Sequence, residues 1–341
     1  MKLAVGFIMY NESSAKYLAD FLPSLAAALK FLAPTDYQVY AWDNSFNDEA
    51  VNRKFIESFN KPAGDSNDAT DTSNHRPTIN YQTQGLNLGF SRAYNILIGE
   101  AIKNRAEYFL MLNPDMVLET NAIAALVRAL DNDASSAAVS PKILRWDFAR
   151  RAPTRIIDSL GLILQPGLEF RDLGQGQEDR GQFDKAEIIG PSGAAGLWRV
   201  SALIKIAERP TAAASPQYFD ERFFMYKEDC DLAYRLLIAG YISRLVPEAI
   251  IYHDRTAVIF GQGLWCRIVN RRQKSRPIRS WSFRNQHLIF VKHWKSQNNR
   301  NRVKIVLHCL SFLVFSLILE QFILKEYPFI WRSIKPLTNI K

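Results

Sequence analysis

Cysteine is scarce in this 341-residue chain, and the three present, Cys230, Cys266 and Cys309, show no paired or metal-type spacing. That excludes a disulfide framework or a zinc module and leaves free thiols in a reducing compartment as the expectation. A G-x-x-x-x-G-K-[ST] loop, a G-x-G-x-x-G fingerprint and a G-x-S-x-G elbow are all missing, which argues against a P-loop NTPase, a dinucleotide oxidoreductase and an α/β-hydrolase. The opening run MKLAVGFIMYNESS has one Lys, a short apolar stretch and no small-residue cleavage site. It reads as a first buried strand rather than a signal peptide. Acid is lacking in one place: residues 255–319 hold 13 Lys or Arg and no Asp or Glu, so that from +9 overall the rest of the chain is left at −4.

What is present is ample for a core, with 48% of residues apolar. Apolar stretches at 3–9, 37–42, 108–112 and 137–140, and a short mixed stretch at 78–82, read as strands. Helical spacing of Tyr17, Leu18, Phe21, Leu22, Leu25 and Leu29, and further helices over 87–102, 120–130 and 231–240, alternate with them. Residues 60–76 read as an exposed loop and 145–185 as an irregular Gly- and Arg-rich stretch. The alternation predicts an open, mixed but mostly parallel α/β sheet with helices on both faces. In such sheets ligands bind beyond the carboxyl ends of the strands. The polar loops carrying Asn11, Asp43, Asn87 and Asp115 fall at that edge.

Two features in these loops carry chemistry. Asp115, on a short turn stiffened by Pro114, is a hard oxygen donor suited to Mg²⁺ or Mn²⁺ shared with phosphate oxygens. His253 is a candidate second ligand, although a single His is more often a hydrogen-bonded structural residue. Glu228 and Asp229 follow the aromatic run Phe223, Phe224, Tyr226 and precede a helix. They suit a helix cap, or a carboxylate base held in a part-desolvated wall; Asp231 is the expected cap. The basic block ahead of the apolar run 305–319 predicts attachment to an anionic membrane surface rather than nucleic acid, with a buried C-terminal helix as the alternative.

Seven short motifs occur in order: YNES at 10–13, DNSFND at 43–48, NLGFSRAYN at 87–95, LNPD at 112–115, GPSGAAGLWR at 190–199, FDERFFMYKEDCDLAYRLLIAGY at 219–241 and IYHD at 251–254. Together they resemble glycosyltransferase family 2, the inverting enzymes of GT-A fold, and within it the rhamnosyltransferase-like branch. The resemblance implies a GT-A-type catalytic domain over 1–255 and a helical, basic and apolar C-terminal extension over 256–341. It implies a nucleotide-sugar site built from Tyr10, Asn11 and Glu12, from Asp43, Asn44 and Ser45, and from Asn87 and Gly89. Asn113, Asp115, Gly193 and Ala194 complete it. Asp43 would face the base, Asp115 would hold Mg²⁺ or Mn²⁺ with the donor diphosphate, and Asn113 stands where the family places the first acid of its DxD motif. His253 matches a position that supports metal or diphosphate in some relatives. Asp229 matches the general base, with Glu228 in support. The implied activity is transfer of a sugar, best rhamnose from dTDP-rhamnose, to a hydroxyl of a saccharide or polyprenyl-diphosphate-linked acceptor in surface polysaccharide synthesis. A UDP-hexose, UDP-galactofuranose or UDP-N-acetylhexosamine donor is the enzymatic alternative, and a non-enzymatic basic binding module the alternative from another class. The SWSFRNQHLIFVKHW stretch at 280–294 resembles the Arg-Asn helix that follows the catalytic domain in this branch, and a solvated basic helix is the equal alternative. The expected location is the cytoplasmic face of the cell membrane, and no nucleic-acid partner is expected.

Overall fold

The computed structural model describes residues 1–46, 50–61, 76–254, 271–333 and 338–339. Most of the expected 60–76 loop, the end of the 43–48 motif, Cys266 and the first part of the basic block lie outside the described residues.

The central strands are apolar on both faces because helices cover both sides. Strand β1 (Leu3–Met9) pairs in parallel with β2 (Tyr37–Asp43) and with β4 (Tyr108–Leu112), and β2 pairs in parallel with β3 (Ile79–Thr83). Strand β5 (Met116–Leu118) follows the turn after β4. The order across the sheet is β3-β2-β1-β4-β10-β6-β12-β5, with β7 on β6. Strand β6 is Ser136–Asp147 and β7 is Ala152–Ser159, joined antiparallel. A separate hairpin joins β8 (Leu162–Gln165) to β9 (Glu169–Asp172). Strand β10 (Ala195–Arg199) runs antiparallel to both of its neighbours, β4 and β6. Strand β11 (Glu208–Arg209) pairs antiparallel with Thr338–Asn339 in a separate two-stranded sheet, and β12 (Ile242–His253) lies parallel to β6 and antiparallel to β5.

Alternation along each strand sends successive side chains to opposite faces. Leu3, Val5, Phe7 and Met9 pack with helices α1 (Asn11–Leu29), α2 (Ala50–Asn60) and α4 (Ala122–Asn132). Ala4, Trp42, Phe109 and Met111 pack with α3 (Gly89–Lys103), α5 (Val200–Ile206) and α6 (Glu228–Ile238). Gly6 has no side chain because a Cβ there would sit 2.6 Å from the Phe109 ring.

Three expectations differ from the structure. Residues 11–14 are the first turn of α1 rather than a loop. The stretch 145–185 is not irregular: β6 runs to Asp147, and β7, β8 and β9 follow. These strands are short, and non-glycine Arg151 and Leu168 turn the chain at positive φ, which hides the two-residue period. Asp231 is not a cap. It is fully buried, its carboxylate bound by Arg235 Nε at 2.9 Å, Lys292 Nζ at 2.8 Å and His293 Nε2 at 2.8 Å.

That contact belongs to a buried ionic cluster which fastens the Arg276–His293 helix to α6 and β11. Lys292, on the Arg276–His293 helix, also reaches Glu208 at 2.5 Å and Asp220 at 3.0 Å. Burial works against its charge, but the three acids outweigh it and hold the ammonium above its ordinary value. The oxygens of Glu208, Asp220 and Asp231 lie close enough together to suggest a metal site. The ammonium of Lys292 already fills it. Leu288, Ile289 and Phe290 of the same helix share a core with Phe223 and Tyr234, so the extension packs on the helix that begins at Glu228. Part of the basic block is therefore structural: Lys292 lies here, and Arg271 and Arg279 both bind the buried Glu320 at 2.7 Å.

Candidate active site

A cleft of about 870 Å³ opens at the carboxyl ends of β1 and β4, beside the start of β10 and the N-terminus of α6. Strand pairing builds one wall. The antiparallel pairing of β5 with β12 puts Met116 opposite His253, which sets His253 next to Asp115. His253 Nε2 is 3.3 Å from Asp115 Oδ1, and its Nδ1 is 2.8 Å from Asp158 Oδ2 on β7. Burial alone would lower the His253 pKa; Asp115 and Asp158 outweigh it and push it up to about 10. Asp115 Oδ1 is buried and accepts no aligned hydrogen bond, so the pair is an ion contact with an oxygen still available. Beside it, Tyr17 donates to Asp254 at 2.6 Å.

The opposite wall is the entry to α6. Asp229 Oδ2 accepts from Gly193 N at 2.7 Å, and its Oδ1 accepts from Cys230 N at 2.8 Å. Its carboxylate is thus fixed in direction from the loop that feeds β10. A Cβ at position 193 would lie 3.2 Å from that oxygen, so the small residue permits the approach. Glu228 is buried, with Oε2 unpartnered; desolvation first and the neighbouring Asp229 second raise its pKa well above the carboxylate range. The backbone before them is strained: Tyr226 and Lys227 both have positive φ, +74° and +68°.

Asn285 holds this turn. Its fully buried amide donates to the carbonyls of Met225 at 2.8 Å and Tyr226 at 2.7 Å. The Arg-Asn pair at 284–285 was legible as a motif, but its contact with the 225–227 turn spans some sixty residues and leaves no local pattern. Asp158 was missed altogether, because its strand lies in the stretch read as irregular.

Of the sequence-selected residues, the cleft wall contains Tyr10, Asn44, Asn87, Asn113, Asp115, Gly193, Ala194, Glu228, Asp229 and His253. Asn11, Glu12, Asp43, Ser45 and Gly89 are not on it. Asp43 lies beneath: only 1% exposed, it accepts from Ser45 N at 2.9 Å and Tyr81 OH at 2.9 Å. Ser45 Oγ in turn accepts from Asn11 N at 2.7 Å, so Asp43 orders the loop that carries Tyr10. Asn44 accepts from Trp42 Nε1 and Leu88 N and donates to Gly89 O. Gly89, at φ +74°, lets Phe90 N donate to Phe224 O at 2.7 Å, which ties α3 to the aromatic run.

No protein-family model matches the chain. Two solved structures of S. aureus TarS 1-349 do share its fold. One has a TM-score of 0.50 at 15% identity, covering 98% of this chain and 80% of that TarS 1-349 chain. The other, in complex with UDP-GlcNAc, has a TM-score of 0.51 at 16% identity, covering 98% and 79%. The fold is GT-A. A curated relative, the N-acetylglucosaminyl-diphospho-decaprenol L-rhamnosyltransferase of Mycobacterium tuberculosis (strains CDC 1551 / Oshkosh and ATCC 25618 / H37Rv), is 28% identical over 193 residues. That match covers 52% of this chain and 60% of the relative. The chain thus resembles glycosyltransferase family 2, in its rhamnosyltransferase-like branch, by motif order and by this relative. The GT-A cleft is where Asp115, His253 and Asp229 meet.

Proposed function

We propose that this chain is an inverting glycosyltransferase that moves a sugar from a nucleotide-sugar to a hydroxyl of a polyprenyl-diphosphate-linked saccharide. L-rhamnose is the sugar that the relative's name favours, and dTDP-rhamnose is the donor that the family resemblance favours. The observation that carries the reading is a single cleft with the Asp115–His253 pair on one wall and Asp229, aimed by Gly193 N, on the other. The acceptor oxygen attacks the anomeric carbon from the side opposite the nucleoside diphosphate. Asp229 takes the hydroxyl proton as the C–O bond forms and the bond to the diphosphate breaks, so the configuration inverts. Glu228 beside it is buried with Oε2 unpartnered, and burial disfavours its charged form. Phe224 and Trp281 on the cleft wall, their rings 5.2 Å apart, limit the water that would hydrolyse the donor.

Once His253 gives up the Nε2 proton that faces Asp115, the pair fits a divalent cation, Mg²⁺ or Mn²⁺. Asp115 Oδ1 is an orphaned buried oxygen, and its 3.3 Å separation from Nε2 is close to the roughly 3 Å between neighbouring ligands of an octahedral ion. Such an ion would neutralise the departing diphosphate. Asp158 would keep the His253 ring in place. We assign the catalytic domain to residues 1–255 and the extension to 256–341, with the chain held peripherally on the cytoplasmic face of the membrane where its acceptor resides.

The test is release of nucleoside diphosphate from a set of nucleotide-sugars, dTDP-rhamnose, UDP-hexoses, UDP-galactofuranose and UDP-N-acetylhexosamines, with Mg²⁺ and with Mn²⁺. Asp229→Asn is expected to lower transfer by at least about a thousandfold, by loss of the base and its charge, while donor affinity stays within a few fold. Full transfer by that variant refutes the base; turnover of no donor refutes the function.

A further inference from the structure

We propose that the exposed face of the Asn299–Leu319 helix is a lipid-binding surface that lies in the plane of an anionic bilayer and does not span it. The inference rests on the membrane placement proposed above, and does not depend on which sugar is transferred.

The helix carries a solvent-facing apolar stripe. Val303, Leu307, Leu310, Val314, Leu317 and Ile318 recur at spacings of three, four and one, and are all exposed, Ile318 at 70%. Its most apolar 18 residues have a mean hydropathy of 2.0 and are 11% buried. By length it reaches about 31 Å, enough to cross a bilayer. Its other face forbids the crossing. Ile305 packs in one core with Phe290 and Leu168, and Phe312 in another with Phe283 and Ile323. Ser316 is fully buried, and Asn301 Oδ1 accepts from Gly167 N. At the far end Glu320, buried, is held by Arg271 and Arg279. The helix is fastened to the folded domain along its whole length, and a span would drag charged, hydrogen-bonded protein into hydrocarbon.

Charge names the occupant. Lys295, Arg300 and Lys304 are exposed around the start of the helix, and Lys325 and Arg332 beyond its end. Trp294, 37% exposed, stands near its start, with Arg302 over its ring. Cations flanking an apolar stripe, with a tryptophan at one end, match a helix lying at headgroup depth. A second copy of the chain fits less well, because parallel and antiparallel pairing of two such stripes both oppose cation to cation. The anchor is coupled to the cleft as well. Arg279, which binds Glu320, lies on the helix whose Pro277, Ile278 and Trp281 line the cleft.

The test is flotation of the full chain with vesicles of phosphatidylcholine alone and with phosphatidylglycerol added. Binding should rise at least tenfold with the anionic lipid and fall with salt. The double variant Leu310→Glu with Val314→Glu, altered only at exposed positions, should lose at least tenfold in partition and keep its melting temperature and donor turnover in solution. A C-terminal tag on vesicle-bound protein should be fully digested by added protease. A protected tag means a span and overturns the inference. Vesicle binding unchanged in the double variant overturns it too, as does a dimer, seen by light scattering, that the double variant dissolves without any lipid binding in the parent. Flotation without turnover of any nucleotide-sugar would remove the transferase reading and leave this one standing.

Discussion

Asn285→Ala tests whether the extension positions the base. The side chain is fully buried and both of its N–H groups are engaged, to the carbonyls of Met225 and Tyr226. Each lost bond is worth about 1 kcal/mol, with more where a buried carbonyl is left unpaired. Those bonds also hold Tyr226 and Lys227 at positive φ, a conformation that costs roughly 1–2 kcal/mol per non-glycine residue. Without the amide the turn relaxes, and the first residues after it are Glu228 and Asp229. A total of about 2–4 kcal/mol of local stabilisation is at stake. If about 2–3 kcal/mol of it appears in the transition state, kcat falls roughly 30- to 150-fold at 1.36 kcal/mol per decade. The donor KM should change little, because Asn113 and Asp115 sit at the ends of β4 and β5 rather than on this turn. Asn285→Asp should be worse than alanine, since it turns a carboxylate oxygen toward two carbonyls. The assay is steady-state release of nucleoside diphosphate beside a thermal melt. A kcat within twofold of the parent, or a defect confined to donor KM, refutes the argument.

Lys292→Met should destabilise the fold by about 3–5 kcal/mol in denaturant titration, because it leaves Glu208, Asp220 and Asp231 buried together with one cation fewer. Gly89→Ala should cost about 2–4 kcal/mol: its Cβ would meet Phe224 O at 2.4 Å at a φ of +74°, so the Phe90 N contact must open. An unchanged melting temperature would contradict either contact. His287 gives a pH signature. Burial foremost lowers its pKa from 6.5 to about 4, with its Nδ1 against Phe283 O. It stays neutral when folded while the unfolded chain takes up a proton below 6.5. Stability should therefore fall as pH drops from about 6.5 to about 4, by about 3 kcal/mol from this group, and level off below. His287→Gln should flatten that window relative to the parent in melts across the range.

Local pattern determined the first half of the fold. Apolar runs with helical stretches between them identify β1, β2 and β4 to within about a residue, because strands covered on both faces must be apolar, and the mixed edge strand β3 (INYQT) falls within a residue of its expected place. The polar residues that end such strands, Asn113 and Asp115 above all, were legible for the same reason: parallel strands share one carboxyl edge. Asp229 was legible as a carboxylate at a helix start, and only the family likeness separated a base from a cap. Tertiary structure decided the rest, where each outcome depends on partners distant in sequence. The β5–β12 register joins Asp115 to His253, and β7 brings Asp158 behind it. A cation from residue 292 turns Asp231 from the expected cap into an ionic anchor, since a buried carboxylate takes whichever charge the fold delivers. Asp43 is a loop-former beneath the cleft because Ser45 and Tyr81 reach it first. In Asn299–Leu319 composition alone allows a span, a core helix or a surface anchor. Packing on one face and exposure on the other separate them, and that division exists only in three dimensions.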